Sequence, residues 1–289
     1  MGGPLFPPDR KAVPNLNGGS PPLQESETTM RMITHLRAAA AILAVSIAAA
    51  TPAVTTAQAA SARPHVKNIV LVHGAWGDGG GWQGVYKILA KDGYSVSIVT
   101  HSNESLASDV ADTQRVLDRQ DGPVILVGHS YGGAIISEAG VDSKVVGLVY
   151  IAAFAPDVGE SVLGLYPKNS QLPVDIGKDG MSFFKRDAYI AAFAPDVPKA
   201  EVEFMAASQV PFSVEKSGLA PLTVAAWKTK PSWYLLSKDD QLVPPAMARM
   251  MAERAKATIV EIPGSHAAFI AHPAAAAKII EQAAEAEAK

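Results

Sequence analysis

The sequence predicts an α/β fold: a mostly parallel sheet flanked by helices on both faces, with an inserted helical cap. Three observations predict it. Short apolar runs recur from residue 68 onward, amphipathic segments of helical length separate them, and one stretch near the middle of the chain is too long for a simple crossover. Strands sandwiched between two helical layers are buried on both faces, which is why these runs are continuous rather than alternating.

The elements can be justified in chain order. Residues 1–29 are rich in Pro, Gly and Ser without apolar periodicity, and are expected to be a disordered or non-native N-terminal extension. Arg31 and Arg37 then flank the front of an apolar stretch at 38–50, and Ala57-Gln58-Ala59 offers small residues at the positions a signal peptidase reads. Residues 30–59 are therefore expected to be a cleaved export signal starting at Met30 or Met32. The apolar stretch is too short to serve as a stable membrane anchor. The expected location is the periplasm or the exterior, and 60–289 remain as one domain by length.

Within that domain, 68–74, 94–101, 123–130, 145–153, 231–237 and 257–264 read as buried strands. The helical segments are 82–91, 106–119, 134–139, 245–255 and 273–287. The interruption at about 157–230 carries Phe183, Phe184, Phe193, Phe204, Met205 and Phe212, and is expected to form a helical cap over the strand ends. YIAAFAPDV at 150–158 recurs letter for letter at 189–197, but the neighbours on both sides differ, so a stacked repeat is not expected. The first copy should finish a strand and the second should lie in a cap helix.

Composition narrows the function. A net charge of −3 with no basic block excludes a nucleic-acid surface, and the absence of cysteine removes disulfides, thiolate nucleophiles and cysteine-held metals. It leaves the oligomeric state open.

The chemistry lies at the predicted strand ends. Gly128-His129-Ser130-Tyr131-Gly132 follows one strand and precedes a helix, which is the context of a nucleophile elbow, where the turning residue is strained and exposed. Five residues alone equally fit a Gly-rich turn with an incidental serine. A serine needs a base, and the base needs an orienting acid. Lys238-Asp239-Asp240 follows the strand at 231–237, and Ser265-His266 follows the strand at 257–264, giving the chain order Ser, Asp, His. Glycines around His73-Gly74-Ala75-Trp76 free backbone N–H groups, so the N–H of Ala75 and of Tyr131 are the expected oxyanion donors. His73 and His129 are expected to brace loops. His35, His65, His101 and His272 have no partner visible in the sequence, and His272 precedes the Pro273 that opens the last helix.

HGAW, GHSYGG, DDQLVPP and GSH together resemble the α/β-hydrolase superfamily, in its small cap-bearing esterase branch similar to plant methylesterases and hydroxynitrile lyase relatives. The likeness covers about 66–288. It implies Ser130 as nucleophile, His266 as base and Asp240 as acid, because in these hydrolases the acid is followed by two variable residues, an aliphatic one and a proline. Asp239 misses that register by one. Haloalkane dehalogenases and epoxide hydrolases carry aspartate where Ser130 stands, and the plant lyases carry lysine where Ala267 stands. The resemblance thus implies hydrolysis of small to medium carboxylic esters through an acyl-enzyme, with a small-molecule partner and no cofactor or metal. The alternatives are a cofactor-free peroxidase or lactonase of the same fold, or a ligand-binding receptor.

Overall fold

Alternate residues of the central strands enter two different cores. In the computed structural model, which describes residues 66–287, Val70, Leu126 and Leu148 pack into one core while Ile69, Ile125 and Val149 pack into the other. Both faces are therefore dry, as the unbroken apolar runs require. The expected N-terminal extension and export signal lie outside the described residues.

In chain order the first half runs β1 (Asn68–Val72), α1 (Gln83–Lys91), β2 (Ser95–Val99), α2 (Leu106–Asp118), β3 (Val124–His129), α3 (Gly132–Ala139) and β4 (Val145–Ile151). The insertion follows, with β5 (Val174–Ile176), β6 (Met181–Phe184), α4 (Lys199–Ala207) and β7 (Phe212–Ser213). The chain then returns to β8 (Ser232–Ser237), α5 (Pro245–Arg254), β9 (Thr258–Ile262), α6 (Ala268–Ala271) and α7 (Pro273–Ala286). Local chemistry sets several ends: the Ser105 hydroxyl accepts from Ser108 N–H at the start of α2, and prolines occupy the first turns of α5 and α7.

The main sheet has six strands in the order β2-β1-β3-β4-β8-β9, every pair parallel. Helices α1 and α7 cover one face; α2, α3 and α5 cover the other. Strand order reverses between β1 and β3, and the crevice beyond their carboxyl ends is where such sheets bind ligands. Ala75 follows β1 and Ser130 follows β3, so both flank that crevice.

Two expectations need correction. The segments at 94–101 and 257–264 are edge strands, and β2 and β9 are half-exposed rather than buried, since each has one neighbour and incomplete helical cover. The insertion is not helical throughout. Besides α4 it holds a three-stranded antiparallel sheet, β5-β6-β7, whose first hairpin turns at Gly177–Gly180. Gly180, at φ +79, supplies the left-handed residue that closes this turn. The nine-residue duplication adopts two conformations, as expected: Tyr150 and Ile151 end β4, whereas Tyr189–Phe193 form a wide helical turn.

Between β3 and α3 the chain reverses at Ser130, which sits at φ +53. The start of α3 must pass close to the β4 end, and a Cβ on Gly133 would lie 2.1 Å from the Phe154 carbonyl oxygen. Gly133→Ala should therefore cost about 3 kcal/mol, the upper end of overpacking penalties, read as a fall in the urea unfolding midpoint with unchanged slope. A loss under about 0.5 kcal/mol, the scatter of neutral surface changes, would show that the turn relaxes freely.

Candidate active site

The three residues that follow β3, β8 and β9 meet in one hydrogen-bonded chain. The Ser130 hydroxyl lies 2.8 Å from His266 Nε2, and His266 Nδ1 lies 2.9 Å from Asp240 Oδ2. All three are buried, His266 to 1 % exposure, so Ser130 is strained as the sequence predicts but covered rather than exposed, at 6 %. The remaining oxygen of Asp240 accepts from the backbone N–H of Leu242 (2.8 Å) and Val243 (2.9 Å), which fixes the carboxylate plane. Asp239 turns the other way: it is exposed, and its Oδ2 accepts from Gly264 N–H at 2.9 Å. It braces the turn before His266 rather than touching the imidazole.

Ala75 and Tyr131 line the same small cavity as Ser130. Among the described residues, the N–H of neither is engaged by a protein acceptor. Two unpaired donors beside a serine are the arrangement an oxyanion requires. Tyr131 is anchored from its other end, since its phenol donates to the buried Asp109 carboxylate at 2.8 Å. Burial first, and then the Asp109 charge, hold that phenol well above its ordinary value, so it stays protonated and keeps donating.

The family model described as the alpha/beta hydrolase family matches residues 69–279. The chain belongs to that family. A pyrethroid hydrolase from Sphingobium wenxiniae is 30% identical over 260 residues, covering 78% of this chain and 90% of the relative. A carbendazim hydrolyzing esterase from Nocardioides sp. is 36% identical over 115 residues, which is 35% of this chain, and the chain spans only 48% of that relative's length. Among solved structures, an extracellular alpha/beta-hydrolase from a Paenibacillus species superposes with a TM-score of 0.66 at 21% identity, covering 75% of this chain and 98% of the other.

In this alpha/beta hydrolase the neighbouring histidines act as braces, as expected for His73 and His129. The His129 Nε2–H donates to the His266 carbonyl at 3.0 Å, and the His73 Nδ1–H donates to the Gly74 carbonyl at 2.9 Å. His101, for which the sequence offered no partner, stacks on His73 at 3.6 Å and donates through Nε2 to the His73 carbonyl. His272 caps nothing through its side chain, although it does precede α7.

Three cavities lie around the site, one of them lined by Ser130 itself. A cavity of about 20 Å³ beside Ser130, walled by Phe154 and Leu242, shares Trp76, Leu163, Tyr166, Leu172 and Phe212 with an open space of about 610 Å³ whose other walls come from the insertion. A third cavity, of about 50 Å³, reaches Ala75 and is lined by His129, Tyr189, Phe193, Met205 and Phe269. Trp76 borders all three. Its indole N–H is fixed by the Ser182 hydroxyl of β6 at 3.2 Å. Of the aromatics in the insertion, Phe193 and Phe212 line these cavities, whereas Phe204, 70 % exposed, faces solvent. Sequence reading missed Asp109, Ser182 and the bracing role of Asp239, because each acts through a contact that no local pattern announces.

The buried imidazoles make stability depend on pH. Burial, and then the neighbouring His101, push His73 down to about 3; burial and then His266 hold His129 well below the ordinary value of 6.5. Both are depressed in the folded protein, so below about 6.5 the unfolded chain takes up protons that the folded one refuses. Stability is complete above that value and falls as pH drops toward about 3. Between pH 7 and 5 the His73 contribution should fall by about 2 kcal/mol, and His129 should add to the loss in the same direction, both measurable by urea unfolding. His129→Gln, which keeps an N–H donor for the His266 carbonyl, should show a shallower decline; an unchanged slope would contradict the buried neutral imidazole.

Proposed function

We propose that this alpha/beta hydrolase is a serine esterase that cleaves small to medium carboxylic esters through an acyl-enzyme. The observation that carries the reading is the continuous chain from the Ser130 hydroxyl through both ring nitrogens of His266 to Asp240, beside two unengaged N–H groups. Ser130 attacks the acyl carbon as its proton passes to His266 Nε2. Asp240, accepting from Nδ1–H, selects the tautomer and stabilises the imidazolium while remaining a carboxylate. The N–H groups of Ala75 and Tyr131 receive the oxyanion. Collapse breaks the bond to the alcohol oxygen, which takes the proton from His266. Water then attacks the acyl-enzyme, gives its proton to the same nitrogen, and Ser130 recovers it as the acid departs.

Relatives named as an esterase and as a pyrethroid hydrolase support hydrolytic chemistry. The flanking cavities support the size class: apolar walls reward each buried methylene by about 0.8 kcal/mol until a wall is reached. On p-nitrophenyl esters, kcat/KM should rise over the shortest acyl chains and then fall, with Ser130→Ala inactive and folded. A preference for emulsified long-chain triglycerides, or turnover retained in Ser130→Ala, would overturn the reading; specific binding without turnover by the wild type would favour a receptor.

Asp240→Asn should lower kcat by about 10³ to 10⁴, as amide replacement of such an acid does elsewhere. Asp239→Asn, which keeps an acceptor for Gly264 N–H, should lose less than about tenfold, since it leaves the imidazole partner intact. The reverse ranking would assign the acid to Asp239.

A further inference from the structure

The hydrogen bonds of the proposed triad fix the His266 ring, but a ring is only as well placed as the backbone that carries it. That backbone is held from the cap. Ser265 N–H donates to Asp196 Oδ2 at 2.8 Å, and the Ser265 hydroxyl donates to Asp196 Oδ1. On the far side of His266, Ala267 N–H donates to the Phe193 carbonyl at 3.0 Å and lies 3.1 Å from the Ser265 hydroxyl oxygen. The Phe193 ring stands edge-on to the imidazole, with centroids 4.9 Å apart. Residues on both sides of the base are thus tied to one short cap segment.

We propose that Asp196 is a positioning residue which, through Ser265, sets the imidazole of His266 in line with Ser130. The proposal rests on His266 being the base of the reaction above. Gly264 turns at φ +130, and a Cβ there would crowd both Ala268 Cβ (3.0 Å) and Asp196 Oδ2 (3.1 Å), so the carboxylate packs directly against the turn before His266. Asp196 is itself exposed and adds nothing to the core, so its two charge-assisted bonds act on the loop alone.

The duplicated nonapeptide gains a meaning here. Phe193 and Asp196 belong to the second copy; their counterparts in the first are Phe154 and Asp157. Phe154 N–H donates to the Ser130 carbonyl at 3.1 Å, holding the nucleophile's turn, whereas Asp157 pairs with Lys228 away from the site. One copy supports the serine and the other supports the histidine. Seating of the cap and alignment of the base are consequently one event.

The test compares Asp196→Ala, Asp196→Asn, Ser265→Ala and the Asp196→Ala/Ser265→Ala double variant on the best p-nitrophenyl ester, with thermal midpoints recorded for each. Misplacing a catalytic group without touching substrate lowers kcat and spares KM, so Asp196→Ala should lose about tenfold in kcat with KM within about twofold. Asp196→Asn should recover most of this: its amide oxygen still accepts from Ser265 N–H, and its NH₂ donates to a Ser265 hydroxyl whose own proton turns to the Phe193 carbonyl, 3.2 Å away. The double variant should be no worse than the poorer single one. Unchanged kcat in Asp196→Ala, a raised KM with normal kcat, or additive losses would each overturn the proposal. Ser130→Ala runs alongside: if it retains turnover, the esterase reading fails instead, whatever Asp196 does.

Discussion

The site depends on a backbone conformation that serine does not choose freely. Ser130 is held in the left-handed region, at φ +53, because β3 must end and α3 must begin within a few residues at the reversal of strand order. Such a residue costs about 1–3 kcal/mol and persists only where its surroundings leave no alternative. Here they are specific: Ser130 N–H donates to the Ile151 carbonyl, its own carbonyl accepts from Phe154 N–H, and the start of α3 passes within contact of the same β4 end. Trp76 and Ala152, after β1 and β4, share the left-handed conformation. Strain is concentrated at the carboxyl ends of three adjacent strands, where the two-faced core of the sheet is stiff enough to hold it.

From that fixed point the remaining groups are placed by short reaches from neighbouring strand ends. Asp240 and His266 come from the loops after β8 and β9, and the loop after β1 brings Ala75 beside the serine. Buried histidines and the Asp109 to Tyr131 bond lock these loops from below. The cap locks them from above: Tyr166 donates to the Leu242 carbonyl in the Asp240 loop, Ser182 holds Trp76, and Asp196 holds Ser265. Each of these three loops thereby has a tie to the insertion, so the cap braces the site as well as walling its pockets.

Much of this was legible in the sequence because the informative features are local. Unbroken apolar runs declare the central strands buried on both faces, and Ser130, Asp240 and His266 follow β3, β8 and β9 by one, three and four residues. What stayed hidden is non-local or too short to leave a pattern. Strands of three and two residues, such as β5 and β7, carry no periodicity, so an aromatic-rich insertion reads as helix. Asp109 sits in the first turn of α2, where an acidic residue is ordinarily solvated, yet it is fully buried beneath Tyr131. The duplicated nonapeptide makes the point most directly, since identical letters form a strand end in one place and a helical turn in the other; tertiary context decides between them.

The central claim is that Ser130 alone is the activated nucleophile, and covalent capture tests it most directly. After reaction with a fluorophosphonate, peptide mapping by mass spectrometry should find a single adduct, on the peptide containing Ser130, absent from Ser130→Ala and formed far more slowly by His266→Ala. An adduct on another residue, or none on Ser130 while esters are still hydrolysed, would contradict the account.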